Sequence, residues 1–377
     1  GGCRLSLDWR RHRPMSRVRH LSSVHDVHDT RVTYKECASL AAAGHDVALI
    51  NCHDGDIEVA GVRVIGLGAP RSRIDRILRK TWAIFFRALR ERADIYHFHD
   101  PELMGVGLAL RLCGKKVIYD VHEDVPLQIM NKTWIPGWLK KPLSAITRVL
   151  EGISGRALNA IVAATPSIAE KFPAHTTIVV QNFPEKGLAN QRNDTPFQER
   201  TNAFIYVGGL SEQQGLFEML AAFEHLPAEV TGLLAGKFKQ LQEQAEAHPG
   251  WQHVRHPGPL PRDEVVAGLR DAQVGLVLDH PISNYVEGYS TKMFEYMACG
   301  LPFIASDFPL WQRIVAEHDC GITVDPFDTD AVAKALNRLL ENPEEAARIG
   351  ENGRQAILRT YNWDVELGKL LSCYERL

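Results

Sequence analysis

From Arg17 onward, short apolar runs alternate with amphipathic stretches in the order of a repeating strand and helix. Arg17–Val24 (RVRHLSSV) predicts a strand running into a polar loop. Thr30–Ile50 predicts a helix, a stop at Gly44 and a strand over Asp46–Ile50. Ala93–Phe98, Lys116–Tyr119, Ile161–Ala164 and Ile178–Gln181 are further strand-length runs, and a helix over Pro101–Leu112 is stopped by Gly114. Between Phe183 and Asn202 the apolar period disappears among Pro, Gly, Asn and Asp, which predicts a connection between domains. The rhythm then restarts. Strands are expected over Phe204–Val207, Val230–Leu234, Val274–Leu278 and Pro302–Ala305. Helices are expected over Gly215–Leu226, Thr291–Ala298, Asp330–Glu341 and Glu344–Leu358.

Strands alternating with helices imply parallel sheets covered on both faces. The fold class is therefore α/β, with two Rossmann-like domains. The boundaries read as a tail or cloning remnant over 1–14, an N-terminal domain over 15–185, a linker over 186–202, a C-terminal domain over 203–360 and a last helix over 361–377.

A length of 377 residues suits two domains, and 45% hydrophobic with 24% charged residues is ordinary for a globular protein. No apolar run reaches the ~18 residues of a membrane span. The opening GGCRLSLDWRRHRP lacks the apolar core of a signal peptide. Seven scattered cysteines without a CxxC pair fit a reducing cytosol and argue against a disulfide framework or a zinc site. The net charge of −3 conceals an asymmetry. Residues 1–186 hold 27 Lys+Arg against 19 Asp+Glu, and the remainder holds 16 against 27. Either the imbalance is spread over solvated helix faces, or a basic N-terminal half meets an anionic surface or acceptor. Nucleic acid is not an expected partner.

The most informative segment is EGYSTKMFEYMACGLPFIAS, from Glu287 to Ser306. Gly288 lets the chain turn at the mouth of a helix, and Ser290 or Thr291 can cap it. The dipole of that helix favours an anion such as a diphosphate. Glu295, one turn inside, can accept hydrogen bonds from vicinal hydroxyls. Two glutamates at this spacing alone also describe an ordinary capped helix. The flanking FEYMACGLPFIAS, however, closely resembles the donor-site helix and strand of the retaining glycosyltransferases of GT-B fold, family 4 (glycosyl transferases group 1). HDVHDTRVTYKECASLAAAGHDVALI, HFHDPELMGVGLALRLCGKKVIYDVHED and QNFP resemble the acceptor domain of the same family.

The resemblance implies two domains facing across a cleft, with the last helix crossing back to the first. It implies a nucleotide-sugar substrate, UDP-linked by preference, and neither a metal nor a cofactor. Glu287 would meet the donor sugar and Glu295 the ribose, with Gly288, Tyr289, Ser290, Thr291 and Lys292 around the diphosphate. Gly208, Gly209 and Gln214 form the phosphate loop, and Gly236, Gly258 and Leu260 lie at turns near the base. His122 is the family's active-site histidine. His25, Asp29, His99, Asp100 and Glu123 line the acceptor side, for a glycan or a polyprenyl-diphosphate-linked acceptor. One departure is large: the family places an Arg after the first glycine and a Lys before the later one, where this chain has Gly209 and Gln214. Lys292 is the nearest substitute cation in sequence.

Two stretches, 71–92 and 134–141, mix basic with apolar and aromatic residues, as a helix lying on the inner face of a cell membrane does. Ile74, Ile77, Leu78, Phe85 and Leu89 share much of one helical face, and such a face also suits packing on a sheet. His97-Phe98-His99 resembles the strand end of metal-dependent hydrolases, but no third and fourth ligand stand out in the sequence. A nicotinamide enzyme is rejected, because no G-x-G-x-x-G follows the first strand. The same fold also serves nucleotide-sugar epimerases and catalytically weak nucleotide-sugar binders.

Overall fold

The computed structural model describes residues 16–132, 135–191, 193 and 195–377. The tail over 1–14, Met15 and Trp134 lie outside the described residues. The chain divides into two compact units: one runs to Asn182 and takes in Glu366–Leu377, and the other is Phe183–Val365.

The first unit is an eight-stranded sheet. Its strands are β1 (Arg17–Leu21), β2 (Asp46–Asn51), β3 (Ile57–Val59), β4 (Val62–Gly66), β5 (Ile95–Phe98), β6 (Lys116–Val121), β7 (Ala160–Ala163) and β8 (Thr177–Val179). They lie in the order β3-β4-β2-β1-β5-β6-β7-β8. Only the β3–β4 pair is antiparallel. Strands such as β5 and β7 are buried along their whole length, because helices cover both faces of a parallel sheet. Phe98 stacks on Tyr119 at 4.5 Å in a core that also holds Leu21, Ile50 and Leu110.

The β3–β4 hairpin was not expected from the pattern. Its strands are short, and it closes on Ala60-Gly61, both at positive φ, so the usual Asn-Gly signal is missing. The helix after β1 starts at Thr30, where Asp29 Oδ1 accepts from the Arg31 and Val32 amides at 2.9 and 2.8 Å. Its first eight residues, Thr30–Cys37, are π-wound.

The second unit has six parallel strands: β9 (Asn202–Val207), β10 (Gly232–Ala235), β11 (Val254–Gly258), β12 (Ala272–Val277), β13 (Phe303–Ser306) and β14 (Gly321–Val324). Their order is β11-β10-β9-β12-β13-β14. Alternation along β9 sends Phe204 and Tyr206 into one core and Ile205 into the other. Residues 186–202 are more than a connection. They contain a helix, Lys186–Asn190, and bury Ala189 and Phe197 in the two cores of this unit. Two isolated apolar anchors carry no period, so the sequence pattern could not reveal them.

The helix Trp363–Arg376 is shared between the units. Trp363 N donates to Pro184 O at 2.9 Å in the second unit. Glu366 accepts from Gln181 N at 2.8 Å in the first. Among the described residues no helix is long and apolar enough to cross a membrane.

Phe204 is fully buried and stacks on Phe223 at 4.0 Å. Phe204→Ala is expected to lower stability by about 3–5 kcal/mol, from lost burial plus the cavity left behind. Leu112→Ala, on a side chain 90% exposed, should stay within about 0.5 kcal/mol. Urea denaturation of the two variants checks the contrast.

Candidate functional site

In each sheet the strand order reverses at one place, and the loops on either side part there to leave a crevice at the carboxyl ends of the strands. In the second unit the reversal falls between β9 and β12. β9 ends in Gly208-Gly209, and Gly208 cannot be enlarged freely. Gly208 has φ +152°, and the carbonyl of Gly208 lies 1.7 Å from where a Cβ on Gly236 would be. The two strand ends therefore touch backbone to backbone. Gly236 N in turn donates to Gly258 O at 2.9 Å. Gly208, Gly209, Gly236 and Gly258 thus form one contiguous side-chain-free rim, with Gln214 beside it: a Cβ on Gly209 would meet Gln214 Oε1 at 2.9 Å. Leu260, half-buried on the following turn, packs against the adjoining core.

Two cations reach this rim. Lys292, from the helix Thr291–Ala298, passes 3.6 Å from the Cβ position of Gly208 and lies over the Tyr206 ring at 5.2 Å. Its Nζ is 3.6 Å from Asp279 Oδ1, at the end of β12. Asp279 is 3% exposed, and burial raises its carboxyl despite Lys292. Lys239 comes from the loop after β10. Its Cε lies 3.1 Å and its Nζ 3.7 Å from the Cβ position of Gly209. Nothing in the sequence around Lys239 singles it out. It enters because Leu210 and Lys239 pair through their backbones at 3.0 Å, which lays the second loop along the first.

Ser290 takes the N-cap position of the helix Thr291–Ala298, but its side chain makes no capping bond. That corrects the expected cap and leaves the helix start without a side-chain cap bond from Ser290. Gly288 does not use left-handed backbone either. Its role is different: Gly288 O accepts from Trp311 Nε1 at 2.9 Å, which pins the loop to the core. Tyr289 is half-buried edge-on to Phe183, with ring centres 5.7 Å apart. Glu287 is exposed on the same loop. Glu295, one turn into the helix, meets Arg262 Nη1 at 2.7 Å.

In the first unit the reversal falls between β1 and β5, and Asp100 ties the two loops together. Its Oδ2 accepts from Ser22 Oγ at 2.9 Å, Ser23 N at 2.6 Å and Val24 N at 3.2 Å. His25 Nε2 lies 3.5 Å from Asp100 Oδ1, and His25 Nδ1 lies 3.0 Å from Asp29 Oδ2. Burial would lower the His25 pKa, but the Asp29 bond and the Asp100 charge outweigh it and the pKa rises. Burial works against Asp29 as well, and His25 with the Val32 amide still brings it down to about 2.

Asp120, at the end of β6, organises the rest. It receives Arg31 at 2.9 and 3.2 Å, His122 Nε2 at 2.7 Å and His99 Nδ1 at 3.1 Å. Burial opposes its charge, yet Arg31 above all holds its carboxyl well below the usual range. His122 and His25 rings sit 4.8 Å apart. The structure thus gathers His25, Asp29, His99, Asp100 and His122. It leaves Glu123 aside, exposed and paired with Gln128. It also supplies what the sequence did not: Glu36 and His20 stand beside His97 and His99, as the third and fourth ligand-type groups that the HxH pattern lacked. His20 sits in a short strand between Arg19 and Leu21 and Glu36 inside a helix, so neither carried a signal of its own.

Residues 187–356 match the family model described as glycosyl transferases group 1, and residues 30–179 match that of the glycosyl transferase 4-like domain. Over 303 residues the chain is 31% identical to the MMP alpha-(1->4)-mannosyltransferase of Mycolicibacterium hassiacum, covering 76% of this chain and 71% of that protein. It is 23% identical over 301 residues to the GDP-mannose:cellobiosyl-diphosphopolyprenol alpha-mannosyltransferase of Xanthomonas oryzae, with 75% and 74% covered. The sucrose-phosphate synthase of Thermosynechococcus elongatus shares the fold, with a TM-score of 0.74 at 19% identity over 96% of this chain and 98% of that one. The chain therefore belongs to the glycosyl transferases group 1 family and is a glycosyltransferase of GT-B fold.

Proposed function

We propose that this glycosyltransferase takes a sugar from a nucleotide diphosphate sugar, with UDP as the carrier. The acceptor is a glycan or a polyprenyl-diphosphate-linked saccharide in bacterial-type surface polysaccharide or glycoconjugate synthesis. The anomeric configuration is retained, as in family 4. The observation that carries this reading is the side-chain-free rim at the switch point of the second sheet, with an ammonium group on either side of it. Breaking the bond from the sugar to the diphosphate builds negative charge on the leaving group. Lys239, Lys292 and the uncapped helix start supply fixed positive charge where it builds, which requires no metal at this site. The two lysines take the part of the Arg and Lys that Gly209 and Gln214 replace. Glu295, oriented by Arg262, serves the ribose, and Glu287 the transferred sugar. On the acceptor side Asp120 holds His122 by Nε2, which keeps Nδ1 for substrate. A GDP-mannose donor is the second reading, supported by the mannosyl transfer named in several relatives.

The basic stretches support work at the inner face of a membrane. The apolar face expected over 71–92 splits in two. Phe85 is buried with Ile84 and Ala88, and Leu89 packs beside them. Ile74, Ile77, Leu78, Trp82 and Phe86 instead remain exposed, with Ile74 at 70%. Arg71, Arg73, Arg79 and Arg90 are exposed among them. The helix Gly137–Ala157 adds an exposed Trp138, Ile146 and Val149. An apolar strip edged by cations suits an anionic lipid surface.

Titration calorimetry with UDP and GDP tests the donor assignment. Glu295→Ala is expected to weaken nucleotide binding by ~1.5–3 kcal/mol, the worth of hydrogen bonds to a charged acceptor. Glu287→Ala should lower turnover and leave nucleotide affinity near that of the parent. If both variants bind and turn over as the parent does, the donor site lies elsewhere.

The cation substitution makes a sharper forecast. Lys239→Ala should weaken nucleotide binding without unfolding the protein, since Lys239 is exposed. Gly209→Arg in that background should restore it, because the new side chain starts 3.1 Å from where Lys239 Cε lay. No loss in Lys239→Ala, or no recovery in the double variant, removes Lys239 from the grip.

Vesicle co-sedimentation tests the membrane reading. Binding should require anionic lipid and fall at high salt, since each Lys or Arg near such a surface contributes about 1 kcal/mol. Trp82→Ser with Phe86→Ser should reduce it. An absence of binding under every lipid and salt condition would leave a soluble acceptor as the better assignment.

A further inference from the structure

Beneath His122, three imidazoles share one face of the first sheet. His20 on β1 is the register partner of His97 on β5, and His99 follows His97 by two residues, so all three project to the same side. Their ring centres are 4.7, 4.8 and 5.1 Å apart. The π-wound helix lays Glu36 over them, with Oε2 4.0 Å from His97 Nδ1. One ligand atom from each of the four residues lies within 4.8 Å of all the others. His20, Glu36 and His97 are 0% exposed and His99 2%.

This pocket has unmet polar groups. Both oxygens of Glu36 and His97 Nε2 lack a hydrogen-bond partner, although Arg31 Nε approaches Glu36 Oε1 to 3.1 Å as an ion pair. Orphaned polar atoms at full burial are costly and rare. Glu36 and Asp120 are both buried carboxyl groups, and Arg31 approaches each of them, 3.1 Å from Glu36 Oε1 and 2.9 Å from Asp120 Oδ1.

We propose that the first unit holds a divalent transition metal, zinc by its ligand chemistry, on His20, Glu36, His97 and His99. Three neutral imidazoles and a carboxylate are a tetrahedral zinc set. Ligand atoms around such an ion stand ~3.3 Å apart, from bonds of about 2.0–2.1 Å. The His20 Nδ1 to His99 Nε2 separation of 2.8 Å, a hydrogen bond in this structure, is shorter than that spacing, and His97 has Nε2, its nitrogen without a partner, left to face the ion. His99 also turns its Nδ1 to Asp120 at 3.1 Å, the carboxylate–histidine–metal arrangement that fixes the tautomer of a ligand. Tyr374 closes the far side, 2.8 Å from His97 Nδ1. The site is closed and structural. It lies one hydrogen-bonded step, through Asp120, from His122, and it is independent of the donor assignment.

The test uses the full chain without a polyhistidine tag, grown with zinc and separately with cobalt, then dialysed. Elemental analysis is expected to find about one zinc per chain. The cobalt form should show the visible absorption bands of a tetrahedral ion. Glu36→Gln, which keeps shape and removes charge, should lower metal content at least tenfold and lower Tm. His28→Asn, on the loop outside the cluster, should change neither. If Glu36→Gln fails to fold, the cobalt spectrum of the parent still decides. A parent without bound metal and without tetrahedral bands overturns the proposal. So does metal retained in Glu36→Gln and lost in His122→Asn, which would assign it to the neighbouring His99, Asp120 and His122 group.

Discussion

A parallel strand buried on both faces has only its ends available for chemistry. That constraint governs both units of this glycosyltransferase. Most side chains along β5 and β9 are spent on cores, with Phe98 against Tyr119 and Phe204 against Phe223. Much of what is polar gathers near the carboxyl ends of the strands, where the strand order reverses. The two units meet the constraint in opposite ways. The second removes side chains, so that Gly208 and Gly236 bring backbone to backbone. The first accumulates ionisable side chains and ties them to one another.

In that first unit the Asp120 carboxylate is the centre of the arrangement. A fully buried carboxylate is tolerable only when it is paired and hydrogen-bonded. Arg31 provides the pair, and His99 and His122 complete the bonds. The same contacts that make the charge bearable also fix the orientation of His122. Stability and positioning are therefore one requirement here, and removing Arg31 would disturb both. Burial first and the neighbouring Asp120 charge next push the Glu36 carboxyl up, against the pull of Arg31.

The sequence exposed whatever is periodic or contiguous. Buried strands appear as apolar runs, and the helix Thr291–Ala298 stands out with its flanking glycines. The hairpin of β3 and β4 was hidden because three residues are too few to display a period. Ala189 and Phe197 were hidden because single anchors in a polar segment have none. Lys239, His20 and Glu36 were hidden for another reason. Each is brought to its site by pairing between segments far apart in the chain, and their neighbours in sequence say nothing of their neighbours in space. The exposed apolar strip of 71–92 was visible in composition, but burial decided which residues it contains, exchanging Phe85 for Trp82 and Phe86.

The helix that supplies Tyr374 carries a consequence for biosynthesis. The second unit is continuous in the chain from Phe183 to Val365, whereas the first requires residues from Glu366 onward. On a ribosome emitting the chain from its amino terminus, the later unit has all its residues before the earlier one does. Until Tyr374 emerges, His97 lacks its 2.8 Å partner and the histidine pocket stays open on one side. The nascent first unit must therefore wait, incompletely sealed, while the second is made.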